Sequence, residues 1–340
     1  MKKYLTINLQ LFADAPVVQV TTQSSLSAEM KTFYDMTLID EAQANLVHEQ
    51  FGQQKPIPKN AGKKIEFRKF ASLPKALTPL TEGVTPKGSS IAVDTIEATI
   101  AQFGDYVVLS DVLELTAIDN TILETTKILG RQAGLTMDTV VRDILQSGTN
   151  VYYAPKIAAD GTKTEVTSRA NLDKTSKMTV DLVKRVAAKL KASNAPKING
   201  DYVAIIHPYV SYDLQSEKDW IEAHKYAKPE NIYEGEIGKI AGVRFIESTE
   251  AKIYSGEGCP EGLAVFGCLF MGSNAYGVTT IDGGSLEIII KQKGEGGTAD
   301  PLNQRSSIGW KGMKTAEILI PSYLVRVECT SDYSDTATAN

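Results

Sequence analysis

Two hydrophobic periods divide this chain. Over residues 28–50 the apolar positions Met30, Phe33, Tyr34, Leu38 and Leu46 fall at helical spacing and predict one helix. Over 121–146, Ile122, Leu129, Ala133, Met137, Val140 and Ile144, with Ile118 just before, define one face of a much longer helix. Thr121 followed by Glu124 makes a capping-box start, and Ser147-Gly148 makes a stop. At 1.5 Å per residue that helix is a spine roughly 40 Å long. Gly130 and Gly134 lie four apart on its surface, where each costs about 1 kcal/mol relative to alanine. They mark either a close backbone crossing or simple tolerance.

The other period is two. Residues 63–70 place Ile65 and Phe67 opposite Glu66 and Arg68, and residues 91–109 alternate Ile96, Ala98 and Ile100 with Glu97 and Thr99. These are the arms of a long hairpin. The connection over 71–90 contains Pro74, Pro79, Gly83, Pro86 and Gly88. A loop of about twenty residues inside a compact domain is uncommon and usually functional or disordered. Projecting strands need a partner to lean on; if none lies in this chain, it is another copy. Residues 5–11 also alternate, with Leu5, Ile7, Leu9 and Leu11 against Thr6, Asn8 and Gln10. The N-terminus therefore has the pattern of a strand or arm instead of a signal peptide.

The second half is mixed. Residues 151–171 read as a hairpin around Asp160-Gly161, and 179–192 as an amphipathic helix on Leu182, Val183, Val186 and Leu190. A buried strand over 201–206 runs into His207-Pro208 and a helix through Leu214. Strands follow at 237–248, 263–270 and 285–292, with a glycine loop at 294–297. The closing segment has an Asp300-Pro301 break, a Gly309-Trp310-Lys311 step, a strand-like run from Ala316 to Val327 and a small polar tail. Trp310, one of two tryptophans, is the expected structural anchor. The fold class is α+β without internal repeats.

Composition narrows the function. The 340 residues are 42% hydrophobic and 23% charged with a net charge of −5, an ordinary globular balance that argues against a non-specific nucleic-acid binder. No run is long enough to cross a membrane as a helix. Cys259, Cys268 and Cys329 have neither CxxC nor zinc spacing and read as packed or surface thiols. His48, His207 and His224 share no spacing. His207 before Pro208 suits a helix cap better than a base, His48 falls on the polar side of the first helix, and His224 lies in a charged segment. There is no Gly-x-Ser-x-Gly elbow, and Gly83–Gly88 has phosphate-loop spacing with Ser89 in the lysine position. No catalytic, cofactor-binding or metal-ligating residue is expected.

One charge feature remains. Lys55, Lys59, Lys63, Lys64, Arg68, Lys69 and Lys75 crowd the first hairpin arm, with Glu66 as the acidic exception. They form either a solvated face or a basic stem lying on an acidic patch of a neighbour, for which Asp111, Glu114, Glu217, Asp219 and Glu222 are candidates.

Several segments, weak singly, are specific in their order. They are Asn8-Leu-Gln-Leu-Phe-Ala13, Ala204-Ile-Ile-His-Pro208 with Leu214, Gly235-x-Ile-Gly-x-Ile-x-Gly-Val243 with Phe245-Ile-Glu-Ser248, Ala275-Tyr-Gly-Val278, and Asp300-Pro-Leu-x-Gln-Arg305 with Gly309-Trp-Lys311. Over most of its length the chain resembles the major capsid proteins of tailed bacteriophages, the Hong Kong 97-type fold, and more narrowly the N4-like major capsid family. The resemblance implies an N-terminal arm (1–60), an extended hairpin or E-loop (61–110), a spine helix with peripheral domain (111–178), an axial domain (179–283), returning peripheral strands (284–330) and a flexible tail (331–340). It also implies self-assembly into hexamers and pentamers of an icosahedral shell enclosing double-stranded DNA without sequence-specific contacts. A separate scaffolding protein and a portal would be partners, and the protein would reside in the virion after assembly in the host cytoplasm. Lys63, Lys64, Arg68, Lys69 and the loop-tip Lys87 are the expected inter-subunit contacts. The alternatives are an encapsulin-like compartment, an enzyme with an unfamiliar site, and a tail or decoration protein.

Overall fold

The computed structural model describes residues 28–43, 46–57, 63–70, 73, 75–80, 82–85, 88–91, 93–111, 121–158, 160–224, 238–280, 286–295 and 300–340. In chain order, helix α1 (Ala28–Gln43) precedes β1 (Gln53–Lys55), β2 (Lys64–Phe70), β3 (Val93–Thr99) and β4 (Ala101–Ser110). Helix α2 (Thr121–Gln146) follows, then β5 (Val151–Tyr153), β6 (Lys156–Ile157) and β7 (Lys163–Thr164). Next come α3 (Val180–Ala192), β8 (Tyr202–Ile206), α4 (Pro208–Gln215), α5 (Lys218–His224), β9 (Lys239–Ile240), β10 (Val243–Glu247), β11 (Lys252–Tyr254) and β12 (Val265–Met271). The chain closes with β13 (Tyr276–Thr279), β14 (Leu286–Lys291), β15 (Arg305–Lys314), β16 (Ala316–Ile318) and β17 (Leu324–Cys329).

Two sheets share one helix. The larger runs β5-β17-β12-β8-β10-β9, with β11 beside β12. Its strand β8 is buried on both faces, so its near-continuous apolar sequence has a physical cause. Ala204 and Ile206 join Val183, Val186, Leu190, Phe266 and Phe270 in a core beneath α3 and α4. Val203 and Ile205 point the other way, toward Val141 and Leu145 of α2 and Tyr276. The smaller sheet, β14-β15-β4, carries Leu286, Ile288, Ile308, Trp310 and Leu109 against α1 and the N-terminal half of α2. Helix α2 thus belongs to both cores.

Its register differs slightly from the sequence expectation. Leu129, Ala133 and Met137 are buried, but the stripe continues through Val141 and Leu145, leaving Val140 and Ile144 half-buried. Two cores on different sides of one helix displace a single-face pattern. Helix α1 lies parallel to α2 and approaches it at the two glycines. A Cβ on Gly134 would stand 2.4 Å from the Ala42 carbonyl oxygen, and one on Gly130 would stand 3.0 Å from that of Leu38. Close crossing, not tolerance, accounts for both.

Other expectations need correcting. The first helix ends at Gln43 instead of running to 50. His48 therefore lies beyond it in a turn, fully buried, with Nδ1 2.7 Å from Asp138 Oδ2 on α2. Asp138 Oδ1 also accepts from the backbone N–H groups of Val47 and His48. The second hairpin arm is two strands: β3 pairs with β2, and after Ile100 the chain enters β4 to pair with β15. The hairpin of 151–171 shrinks to the two-residue strands β6 and β7, while β5 joins β17 in parallel. The closing run is also divided, because β16 pairs with β13 and β17 with β12. A short 3-10 turn at Pro321–Tyr323 makes the switch. The tail after β17 is laid against the body: Asp332 N–H donates to Asp213, Ala264 N–H to the Ser334 carbonyl, and Asn340 bonds to Ala251 and Ile253.

Replacing Gly134 by alanine adds a methyl where no space exists. Overpacking of this kind costs about 1–3 kcal/mol, against a gain of about 1 kcal/mol in helix propensity. Gly134→Ala should lower the denaturant midpoint; a raised midpoint would show that α1 and α2 separate freely.

Candidate inter-subunit surfaces

The hairpin is fixed at its base. Ile65, Phe67 and Ala98 are buried with Leu319, and the Phe67 ring occupies the space a side chain at Gly277 would need, 2.4 Å from an added Cβ. The base thus leans on its own chain through β13 and the segment after β16. Beyond it, apolar side chains face solvent. Leu77 is 82% exposed and Leu80 78%, and Leu73, Val84, Ile91 and Val93 are exposed as well. Single exposed leucines need no explanation, but a series of them on one projection marks an interaction surface.

The basic residues of the first arm are distributed along this stem. Lys63, Lys64 and Arg68 are exposed and Lys69 is half-buried. Lys64 pairs with Glu97 across the hairpin at 2.5 Å, and that bond raises the pKa of Lys64. Glu97 stands directly opposite Glu66, so Glu66 is not the only local acid. Lys55 donates to the Glu66 carbonyl and stands 5.9 Å from the Phe67 ring centre. Lys59, Lys87, Glu114, Ile118 and residues 1–27 of the N-terminal arm lie outside the described residues, as do the Gly235–Ile237 part of the quoted motif and Gly297. Among the acidic candidates, Glu217 is already used within the subunit. It accepts from the Val180 N–H at the start of α3 at 2.6 Å, and burial pushes its pKa up. Asp219 sits 3.9 Å from Lys184.

The smaller sheet presents the second surface. Its outer face forms an open groove of about 620 Å³ lined by Gly104, Tyr106, Ile289, Gly309 and Lys311. The two glycines allow the strands to close up, since a Cβ on Gly309 would meet Tyr106 Cβ at 2.8 Å. On the inner face Trp310 is 3% exposed, and its Nε1–H donates to Gln132 Oε1 at 3.2 Å. The Gln132 amide also donates to Asp105 Oδ2 at 2.6 Å. That bond and the Tyr106 N–H hold the Asp105 carboxyl below the usual carboxylate range. Gln132 thereby ties α2 to both β4 and β15.

The residues considered for chemistry are placed structurally. His207 caps α4, its Nδ1 accepting from the Tyr209 N–H at 3.1 Å, and burial lowers its pKa to about 4. Cys268 and Cys329 are buried and reduced, and Cys259 is half-buried. Among the described residues, no group of three or more His, Cys, Asp or Glu side chains could hold a metal ion, and no helix is long and apolar enough to cross a membrane. Sequence reasoning missed Gln132 and Asp138, whose partners lie far away along the chain.

This architecture has known counterparts. A family model described as phage capsid protein matches residues 109–276, just under half of the chain. The capsid of Ralstonia phage GP4 superposes with a TM-score of 0.63 at 16% identity, covering 96% of this chain and 99% of that one. The fold is that of a phage capsid subunit. The capsid of cyanophage P-SCSP1u gives 0.60 at 16% identity over 83% of this chain and 87% of the other. The head of Helicobacter pylori bacteriophage KHP40 gives 0.58 at 11% identity over 96% and 99%. No curated protein sequence matches the chain. In this Hong Kong 97-type fold, α2 is the spine helix and β2 with β3 the projecting hairpin.

Because the Trp310 ring is enclosed between the spine helix and the sheet, Trp310→Ala should cost about 3–5 kcal/mol in chemical denaturation. A loss below about 1 kcal/mol would show that the surrounding core does not depend on the ring.

Proposed function

We propose that this chain is a major capsid protein whose copies self-assemble into an icosahedral shell around double-stranded phage DNA. The observation that carries the reading is the projecting hairpin with exposed Leu73, Leu77, Leu80 and Val84, built on a capsid fold. A soluble monomer gains nothing from such a projection. A shell subunit does, since each copy can cover its neighbour's exposed apolar side chains through many modest contacts.

In this reading residues 1–60 form the arm, 61–110 the hairpin, 111–178 the spine and peripheral domain, 179–283 the axial domain, and 284–330 the returning strands. Hexamers and pentamers are the building units. Lys63, Lys64, Arg68, Lys69 and Lys87 on the stem and loop steer it onto a neighbouring copy, and Trp310 anchors the peripheral core. The net charge of −5 suits a container that encloses DNA without gripping each phosphate. A separate scaffolding protein and a portal complete assembly in the host cytoplasm, and the product resides in the virion. The ordered motifs quoted above support placement in the N4-like subfamily.

The test uses charge on the projection. Leu77→Asp with Leu80→Asp leaves every described core intact, so the subunit should fold with an unchanged melting temperature but yield at least tenfold fewer particles by sedimentation and negative-stain microscopy. Normal particle yield from that variant would overturn the reading.

A further inference from the structure

One two-residue turn brings together the groups of a self-modification. We propose that Asn199 is a site of spontaneous deamidation, its side chain closing on the Gly200 backbone nitrogen and reopening as aspartate or isoaspartate. The chemistry needs a single copy of the chain and is independent of the shell reading.

The turn lies between α3 and β8. Ile198 N–H donates to the Asp201 carbonyl at 2.8 Å, and Asp201 N–H donates back to the Ile198 carbonyl at 3.2 Å. Between them Asn199 and Gly200 have φ values of 52° and 93°, the left-handed pair that a tight hairpin turn of this kind requires. Both residues are exposed. The hydrogen bonds of the turn are made by its flanks. Among the described residues, neither the Asn199 side-chain amide nor the Gly200 N–H has a hydrogen-bond partner. A Cβ added at Gly200 would meet no atom within 4 Å, so water reaches both groups.

Hydroxide removes the Gly200 amide proton, and the nitrogen attacks Asn199 Cγ. The N–Cγ bond forms, the Cγ–Nδ2 bond breaks, and ammonia leaves with a proton returned from water. The five-membered imide then takes up one water. Opening at the side-chain carbonyl gives aspartate; opening at the main-chain carbonyl of residue 199 gives isoaspartate, whose main chain runs through Cβ. Either product carries a new negative charge, and no oxidant or reductant is needed.

The surroundings single out this position. Asn194, Asn274 and Asn303 are also left-handed, but they precede Ala195, Ala275 and Gln304, whose side chains crowd the attacking nitrogen. Asp160-Gly161 forms a turn with an acid in the first place. Its carboxylate accepts from the Thr162 N–H at 2.9 Å and is held below the usual carboxylate range, an ionised group that resists attack. At Asn199 isoaspartate would lengthen a turn closed by two bonds between Ile198 and Asp201. The strain falls on the start of β8, where Asp201 pairs with Lys239 at 3.2 Å and the Tyr202 N–H donates to the Gly242 carbonyl at 2.9 Å.

The experiment ages the purified full chain in mildly alkaline buffer made with heavy-oxygen water, folded and in denaturant, and reads its peptides by tandem mass spectrometry. Labelled aspartate and isoaspartate should accumulate at position 199 of the folded protein at least tenfold faster than at Asn194, Asn274 and Asn303, and within tenfold of the denatured rate. Gly200→Ala should slow the reaction at least tenfold in both states; the denatured sample keeps that comparison valid if the variant disturbs the turn. A folded rate more than tenfold below the denatured one would show that the turn protects Asn199 and would overturn the proposal. Equal rates at the four asparagines, or no slowing by Gly200→Ala, would overturn it as well.

Discussion

A single helix serving two cores is the constraint on which the rest of this structure depends. The N-terminal half of α2 must meet α1 and the three-stranded sheet, and its C-terminal half must meet the seven-stranded sheet. Gly130 and Gly134 allow α1 to come within backbone contact of one side. Asp138 then holds the turn after α1 through three hydrogen bonds to Val47 and His48. The next turns place Val141 and Leu145 against Tyr276, Ile205 and Leu269. The helix runs unbroken from Thr121 to Gln146 and contributes to both cores.

What the helix does not cover is as informative as what it does. The described cores are closed by the chain itself, down to the tail residues that bond to Asp213, Ala264 and Ile253. Exposed apolar residues stand on the hairpin loop (Leu73, Leu77, Leu80, Val84), on β4 and on α2 (Ile128, Leu135), and also at Phe33 and Met36 of α1, at Tyr212 and Ile221, and at Leu302. The two most exposed of them, Leu77 and Leu80, stand on the projecting hairpin, where the shell reading needs them. His48 is locked to Asp138 and His207 caps a helix, both held as structural groups.

Much of this was legible in the sequence. The spine helix, the amphipathic α3, the buried β8 and the His207-Pro208 helix start follow from local period and capping chemistry. Those are properties of neighbouring residues, so sequence carries them directly. Pairings between distant segments were not legible. The split of residues 91–109 between two sheets follows from β15, some two hundred residues later, and the division of 316–329 depends on β13 and β12. His48 was misplaced for the same reason, since its burial is decided by Asp138 and not by its neighbours. The basic stem was visible as charge, while Glu97, which pairs with Lys64, belongs to the opposite strand.

The central claim is the proposed one, that the exposed hairpin side chains Leu73, Leu77, Leu80 and Val84 are covered by other copies of the chain. Hydrogen exchange measured on the dissociated subunit and on the assembled form tests it most directly. The account predicts strong protection of the hairpin loop on assembly, with α2 and β8 equally protected in both states. Equal exchange of the loop in both states, or a protein that remains monomeric at high concentration, would contradict it.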